Sequence, residues 1–279
     1  MERILSELRQ MRLPGMAQTW QSLMETRQAT SLNIVDGLRL LLQGEHDMRR
    51  ANRNARLLKN ARFRYQVSVD ELAYDSARGL DKAYITQMCA GEYIRRGNPV
   101  IITGATGTGK SWLASALGHH ACISGFKTRY WSILKLMEDL AMARVERQSK
   151  RFFEKIASYD LIIIDDFGIK KLNNEQILDL MEIIEDRHGR KATIIASQIP
   201  VSDWYDCLET NTTAADAILD RMVHSAIRFE LKGDSLRKNH KLCRIKSVPV
   251  CSGALSQSAP VFPVYFVFFC YSCLYHILK

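Results

Sequence analysis

The 279-residue chain predicts an α/β fold, a parallel sheet flanked by helices and preceded by an all-helical N-terminal module. Three observations carry this. From Pro99 to about Lys241, short apolar runs alternate with amphipathic stretches, as strands alternate with helices in βαβ units. Two of the runs, Leu161-Ile162-Ile163-Ile164 and Ala192-Thr193-Ile194-Ile195-Ala196, do not alternate, as befits strands buried on both faces of a parallel sheet. Ahead of Pro99 the apolar residues recur at helical spacing instead.

Leu5, Leu8 and Met11, then Ile34, Leu38, Leu41 and Leu42, mark helices of the front module, residues 1–98. Within it, Met48 to Tyr65 carries Arg49, Arg50, Arg53, Arg56, Lys59, Arg62 and Arg64 without one acidic residue. On a helix Arg49, Arg53 and Arg56 share a face, as do Lys59 and Arg62, so much of the charge forms a stripe. Such a stripe neutralises phosphates, which makes Arg49, Arg50, Arg53, Arg56, Lys59 and Arg62 candidate DNA contacts. The alternative is a solvated face paired with acids elsewhere. Phe63 and Tyr65 close the run and could stack on bases or simply pack.

The core, residues 99–242, opens on Pro99-Val100-Ile101-Ile102-Thr103, an apolar run expected to be a strand. Gly104-Ala105-Thr106-Gly107-Thr108-Gly109-Lys110-Ser111 follows it and fits G-x-x-x-x-G-K-[ST]. Glycines let backbone N–H groups curl around an anion, Lys110 reaches the outer phosphates, and Ser111 offers a hydroxyl to Mg2+. Helical spacing resumes at Trp112 to Leu117, so the bound phosphates would sit on a helix N-terminus. Thr128-Arg129-Tyr130-Trp131 reads as a second strand, followed by helical spacing at Leu134, Leu136, Met137 and Leu140, then at Phe152, Phe153 and Ile156. Asp165 and Asp166 end the strand that starts at Leu161, where a parallel sheet delivers side chains to a ligand. In such a pair the first carboxylate orders Mg2+ and its waters, and the second orients or deprotonates the attacking water. Asn174 to Arg187 is helical, with Ile177, Leu178, Met181 and Ile184 on one face and Gly189 as its stop.

A net charge of +9 favours an anionic partner. The opening Met1-Glu2-Arg3-Ile4-Leu5-Ser6-Glu7-Leu8 interleaves charges, unlike a secretory signal, so a cytoplasmic protein is expected. Seven scattered cysteines, an odd count, argue against a disulfide framework. The tail, residues 243–279, changes character. Pro249 to Leu278 has no Asp, Glu, Lys or Arg, and Val261 to Leu278 is nearly all apolar or aromatic. That stretch barely reaches the roughly 17 residues a membrane span needs. Pro260 and Pro263 interrupt its start, and Tyr, Ser, Cys and His dilute the rest, so a non-native segment is favoured over an anchor and no membrane is expected. Cys270-Tyr271-Ser272-Cys273 is a lone C-x-x-C without the second pair a zinc site needs.

The loop at 104–111, Leu161-Ile162-Ile163-Ile164-Asp165-Asp166-Phe167-Gly168, Ser197-Gln198-Ile199-Pro200 and Ile218-Leu219-Asp220-Arg221-Met222 resemble, in this order, the IstB-like ATP-binding family of transposition helpers. That family belongs with the DnaC helicase loaders among the AAA+ ATPases, and the resemblance covers about residues 1–242. It implies an AAA+ P-loop NTPase core using ATP and Mg2+, with DNA, the transposase of the same mobile element and further copies of the chain as partners. By position, Lys110 and Ser111 would hold phosphate and Mg2+, and Asp165 would be the metal-ordering acid. Asp166 would be the base, in a slot where AAA+ proteins more often place Glu. Gln198 would sense the γ-phosphate, with neighbouring Ser197 as the other candidate. Arg221 would be an arginine finger inserted into a neighbour's site, and Arg237, in Gly233-Asp234-Ser235-Leu236-Arg237-Lys238, a second phosphate sensor. The expected activity is ATP hydrolysis that assembles and releases the protein on target DNA, delivering a transposase. A helicase loader acting on single-stranded DNA is the alternative within the fold. A small-molecule kinase would need an Arg-rich lid after the carboxylate pair, which is missing, and an ATP-binding scaffold without hydrolysis has only the short arm of Asp166 in its favour.

Overall fold

The computed structural model describes residues 2–27 and 32–236. Arg237 and the whole apolar tail therefore lie outside the described residues. Three helices come first: α1 (Glu2–Gln10), α2 (Pro14–Glu25) and α3 (Ile34–Ala61). Asn33 starts α3 by accepting from the Asp36 amide, and Pro14 stands in the first turn of α2, where its missing N–H costs nothing. Glycines bring α2 and α3 together: a Cβ on Gly15 would stand 2.5 Å from the Gly44 carbonyl oxygen. The buried Glu45 carboxylate seals this crossing by accepting from the Gly15 and Met16 amides, at 2.8 and 3.2 Å. The helical spacing of Ile34, Leu38 and Leu42 is borne out as helix, yet all three are exposed.

Two short helices, α4 (Lys82–Cys89) and α5 (Glu92–Arg95), lead to the first strand. Thereafter the elements run β1 (Val100–Gly104), α6 (Lys110–Ile123), β2 (Thr128–Ser132), α7 (Ile133–Val145), α8 (Ser149–Ala157), β3 (Leu161–Phe167), α9 (Asn174–Arg187), β4 (Ala192–Ser197), α10 (Trp204–Cys207), α11 (Thr212–Val223) and β5 (Ile227–Leu231). The sheet is wholly parallel in the order β2-β3-β4-β1-β5. β5 escaped the sequence reading; its signal was the alternation Ile227-Arg228-Phe229-Glu230-Leu231, typical of an edge strand with one wet side.

β1 to β4 split their side chains between two cores, while β5 gives its apolar residues to one of them. Val100, Ile102, Leu161, Ile163, Ile194 and Ala196 face α6, while Ile101, Ile162, Ile164 and Ile195 face α7, α9 and α11. The α6 core also takes in Val67, Leu72, Leu80, Ile85, Met88, Tyr93 and Ile94. A front module running to residue 98 therefore overreaches in packing terms, because residues 67–94 share the sheet's core; periodicity reports a helix, not the layer it joins. On α9 the buried face is Ile177, Leu180, Ile183 and Ile184, whereas Leu178 of the predicted face is 42% exposed. The helix carries two overlapping apolar stripes, and α11 and the sheet select one. Buried Arg187 closes the far end of this core by donating to the carbonyls of Ile156, Tyr159 and Ala192 and to the Thr193 hydroxyl.

Candidate functional site

The parallel register puts the carboxyl ends of the central strands side by side. Thr103 of β1 pairs with Ser197 of β4, which pairs with Phe167 of β3. The phosphate-loop sequence leaves β1 at this edge and enters α6 at Lys110. Gly104, Gly107 and Gly109 have φ of +150°, +87° and +105°. At Gly107 the conformation is needed twice over, since a Cβ would also fall 2.1 Å from the Ser235 hydroxyl oxygen. The Lys110 ammonium donates to the carbonyls of Gly104 and Ala105 at 2.7 and 2.8 Å, folding back over the loop it serves.

Asp165 is 1% exposed. Its Oδ2 accepts from the Tyr130 hydroxyl at 2.5 Å, and its Oδ1 from the Asp166 amide at 2.8 Å. Burial first, and then the Asp165 carboxylate, push the Tyr130 phenol well above its ordinary range, so it remains a donor. At Asp166 the pairing of β3 with β4 slips, between Ile164 and Phe167, and φ is +59°. This backbone belongs to the sparsely populated left-handed region and costs about 1–3 kcal/mol. The register slip takes Asp166 out of the ladder, and its Oδ2 accepts from Arg64 Nη1 at 3.0 Å.

Gln198 lies against the phosphate loop, its Oε1 accepting from the Thr106 hydroxyl at 2.7 Å. The Ser197 hydroxyl, by contrast, is buried and committed: it donates to the carbonyls of Phe167 and Ile199 and accepts from the Ile199 amide. Of the two candidate sensors, Gln198 is the one the geometry leaves beside the loop. The stretch before Arg237 also reaches it, since the Leu236 amide donates to the Gly107 carbonyl at 2.9 Å. Arg78 braces that stretch through the carbonyls of Lys232 and Asp234.

Arg221 is elsewhere. α11 ends just before β5, whose first residue Ile227 pairs with Val100 at the start of β1, so Arg221 stands at the amino edge of the sheet. There it donates to Glu185 of α9 at 3.1 Å and to the Ala217 carbonyl at 3.0 Å.

The basic run forms the second half of α3 and its cap. Arg50, Arg53, Arg56, Lys59 and Arg62 are exposed, but the charge is less uniform than its lack of internal acids predicts. Arg49 is paired with Glu45 at 2.7 Å, four positions upstream, and Arg64 with Asp166 at 3.0 Å. Phe63 and Tyr65 pack rather than stand free: Phe63 lies against Gly118, and Tyr65 meets Trp112 with ring centroids 5.3 Å apart. Sequence reasoning missed Arg64, Tyr130 and Glu185 as members of these clusters. Each joins through tertiary contact alone, and no local pattern announces it.

The residues at the carboxyl edge fit a magnesium nucleotide. A glycine-rich loop with positive φ at Gly104, Gly107 and Gly109, running into the N-terminus of α6, suits phosphate. Among the described residues no group of three or more His, Cys, Asp or Glu is placed to hold a metal ion. A cation here would rest on a hydroxyl, one or two carboxylates and the phosphates themselves, which is how Mg2+ is held. Among the described residues no helix is long and apolar enough to cross a membrane.

Residues 6–243 match the family model described as IstB-like ATP binding protein. An insertion sequence ATP-binding protein of Sinorhizobium fredii is 40% identical over 237 residues, covering 85% of this chain and 96% of that protein. Another, from the insertion sequence IS1162 of Pseudomonas fluorescens, is 36% identical and covers 71% of this chain and 86% of its own length. Among solved structures, DnaA of Aquifex aeolicus, bound to AMPPCP, superposes with a TM-score of 0.53 at 18% identity, covering 67% of this chain and 57% of that one. The DnaC helicase loader does so with a TM-score of 0.50, also at 18% identity, covering 59% and 96%. At that identity the likeness establishes the AAA+ fold alone.

Proposed function

Because the chain belongs to the IstB-like ATP-binding proteins of insertion sequences, we propose that it is a Mg2+-dependent ATPase that assembles on target DNA and recruits or stimulates the transposase of the same element. The observation that carries this reading is the division of the catalytic set. Loop 104–111, Asp165, Asp166 and Gln198 converge at the carboxyl edge of the sheet, while Arg221 stands at the opposite edge. Within one subunit Arg221 stands apart from these groups, and in this reading a neighbour would bring its own Arg221 to them.

ATP would be the substrate, and Mg2+ when bound would supply charge neutralisation on its phosphates. The chain's own groups do the rest. Backbone amides of the loop and the first turn of α6 face the phosphates, and Lys110 exchanges the carbonyls of Gly104 and Ala105 for phosphate oxygens. Ser111 and Asp165 would hold the metal, with Tyr130 fixing the Asp165 carboxylate. Asp166 would orient the attacking water and take its proton, and Gln198 would contact the γ-phosphate. Arg221 of a neighbouring subunit would stabilise the charge that develops on the transferred group. Exposed Arg50, Arg53, Arg56, Lys59 and Arg62 would hold DNA phosphates, with Arg49 contributing less because Glu45 already holds it. In this scheme the cytoplasmic protein uses ATP as an assembly signal and hydrolysis as release.

Electron microscopy of the purified protein, with and without ATP and with duplex or single-stranded DNA, tests the reading. Nucleotide-dependent rings or filaments on duplex DNA are expected. Assembly on single strands alone would favour a helicase loader, and particles unchanged by nucleotide would overturn the proposal.

A further inference from the structure

We propose that Arg64 is a latch through which the basic helix controls the nucleotide site, because its guanidinium occupies the carboxylate edge that a magnesium ion would need. The proposal rests on the reading of α3 as the DNA-contacting helix and of Asp165 and Asp166 as the metal-site acids.

The latch is built from four consecutive residues. α3 stops at Ala61, and Arg62 caps it in the left-handed conformation, φ +55°. Phe63 drops into the α6 core, so close to Gly118 that a Cβ there would lie 2.5 Å from the ring. Tyr65 is fixed on the ring of Trp112, the residue that follows Ser111 in the phosphate-binding helix. Between these two anchors Arg64 points at the acids: its Nη1 lies 3.0 Å from Asp166 Oδ2 and 3.8 Å from Asp165 Oδ2. Asp165 Oδ2 is also the atom that Tyr130 holds. Arg62, on the exposed end of the basic helix, is therefore two residues from a cation seated on the catalytic carboxylates. Neither charge appears misplaced in sequence, since both belong to one uninterrupted basic run.

Like charges exclude one another from a shared pair of carboxylates, so Arg64 and a divalent cation compete. The Arg64 side chain is 43% exposed, which makes its ion pair weak enough to be displaced. Two ligands would displace it. Asp165 and Asp166, if they hold a divalent cation with nucleotide, would release Arg64 directly. DNA phosphates gathered on α3 add an alternative anion at the same end of the helix and draw the guanidinium away. DNA bound to α3 should thus lower the Mg2+ concentration the nucleotide site requires, and should do so through Arg64.

The experiment is a Mg2+ titration of fluorescent mant-ADP binding to the full chain, comparing wild type with Arg64→Met and Arg64→Ala. Met keeps the stem packed, and circular dichroism checks that both variants fold. Without DNA, the half-maximal Mg2+ concentration should fall about three- to fivefold in the variants, the range a part-exposed ion pair accounts for. Binding in EDTA should not tighten. With a duplex fragment added, the wild-type requirement should fall toward that of the variants, and theirs should not move. An unchanged Mg2+ requirement in folded Arg64→Met overturns the latch. A wild-type requirement unmoved by DNA, with DNA bound by fluorescence anisotropy, overturns the coupling. If wild type binds no DNA at all, the reading of α3 fails and the coupling with it, while the arm without DNA still decides the competition at the carboxylates.

Discussion

Arg221→Ala separates a shared catalytic site from a self-contained one. The topology sets the expectation. β5 has five residues, so at about 3.3 Å each the amino and carboxyl edges of the sheet are roughly 16 Å apart. Arg221 lies at the amino edge, tethered to Glu185, and cannot reach its own phosphate loop with one side chain. Losing a finger cation costs roughly a thousandfold or more in turnover. Nucleotide binding, which uses residues 104–111, should stay close to wild type. The decisive assay mixes Arg221→Ala with Asp166→Asn, each inactive alone. In a head-to-tail assembly a working site needs a subunit with intact Asp166 beside one with intact Arg221. For random neighbours at equal amounts, that holds at about one site in four, so activity should peak near a quarter of the wild-type rate. The profile across mixing ratios should be a symmetrical hump. A flat line at the background of the single variants, under conditions where electron microscopy shows mixed assemblies, refutes the reasoning.

Lys110→Ala should abolish tight mant-ATP binding, and binding left intact would remove the loop from the site. Replacing Arg50, Arg53 and Arg56 together with Ala should flatten the slope of log affinity for duplex DNA against log salt by up to about 2.7, at about 0.9 per phosphate contact; anisotropy titrations measure it. Burial raises the Glu45 carboxyl pKa, but Arg49 and the Met16 and Gly15 amides outweigh that and hold it below its ordinary 4.5. A depressed folded-state value means stabilisation that is full above the unfolded value and lost as pH falls through the folded one. The stability gap between wild type and Glu45→Gln should therefore be largest near neutrality and shrink below pH 4.5, as urea melts across pH would record. Burial lowers the Arg187 pKa to about 10, well above neutrality, so the side chain stays charged. Arg187→Met leaves three carbonyls without their donor and should cost about 3 kcal/mol or more in thermal or urea unfolding.

Much of the core was legible because its signals are local. The unbroken apolar runs at Ile162 and Ile194 betray strands covered on both faces, and the glycine pattern before Lys110 betrays an anion cradle. The edge strand β5 was harder, since only Phe229 and Leu231 of its five residues are buried and its alternation is short. Leu178 on α9 shows a different limit: two overlapping apolar stripes fit the helix, and the choice between them is made by α11 and the sheet. The basic run shows a third. Its charges are plain in sequence, but whether a given arginine faces solvent, Glu45 or Asp166 depends on where α3 ends and how Phe63 and Tyr65 anchor the chain.

The same dependence on backbone bears on why an aspartate stands at 166. Its φ of +59° is a conformation that Asp visits more readily than the longer Glu, because a short polar side chain can hydrogen-bond the local backbone. The slip of β3 between Ile164 and Phe167 takes the residue out of the ladder, and it is there that the left-handed backbone occurs. The backbone thus accounts for Asp at this position, and the residue type argues less against hydrolysis than it does in sequence alone. It follows that Asp166→Glu is the poorer probe: it alters reach and strains the turn together. Asp166→Asn keeps the left-handed backbone available and removes only the charge, so lost turnover with retained nucleotide binding in that variant reports on the carboxylate itself.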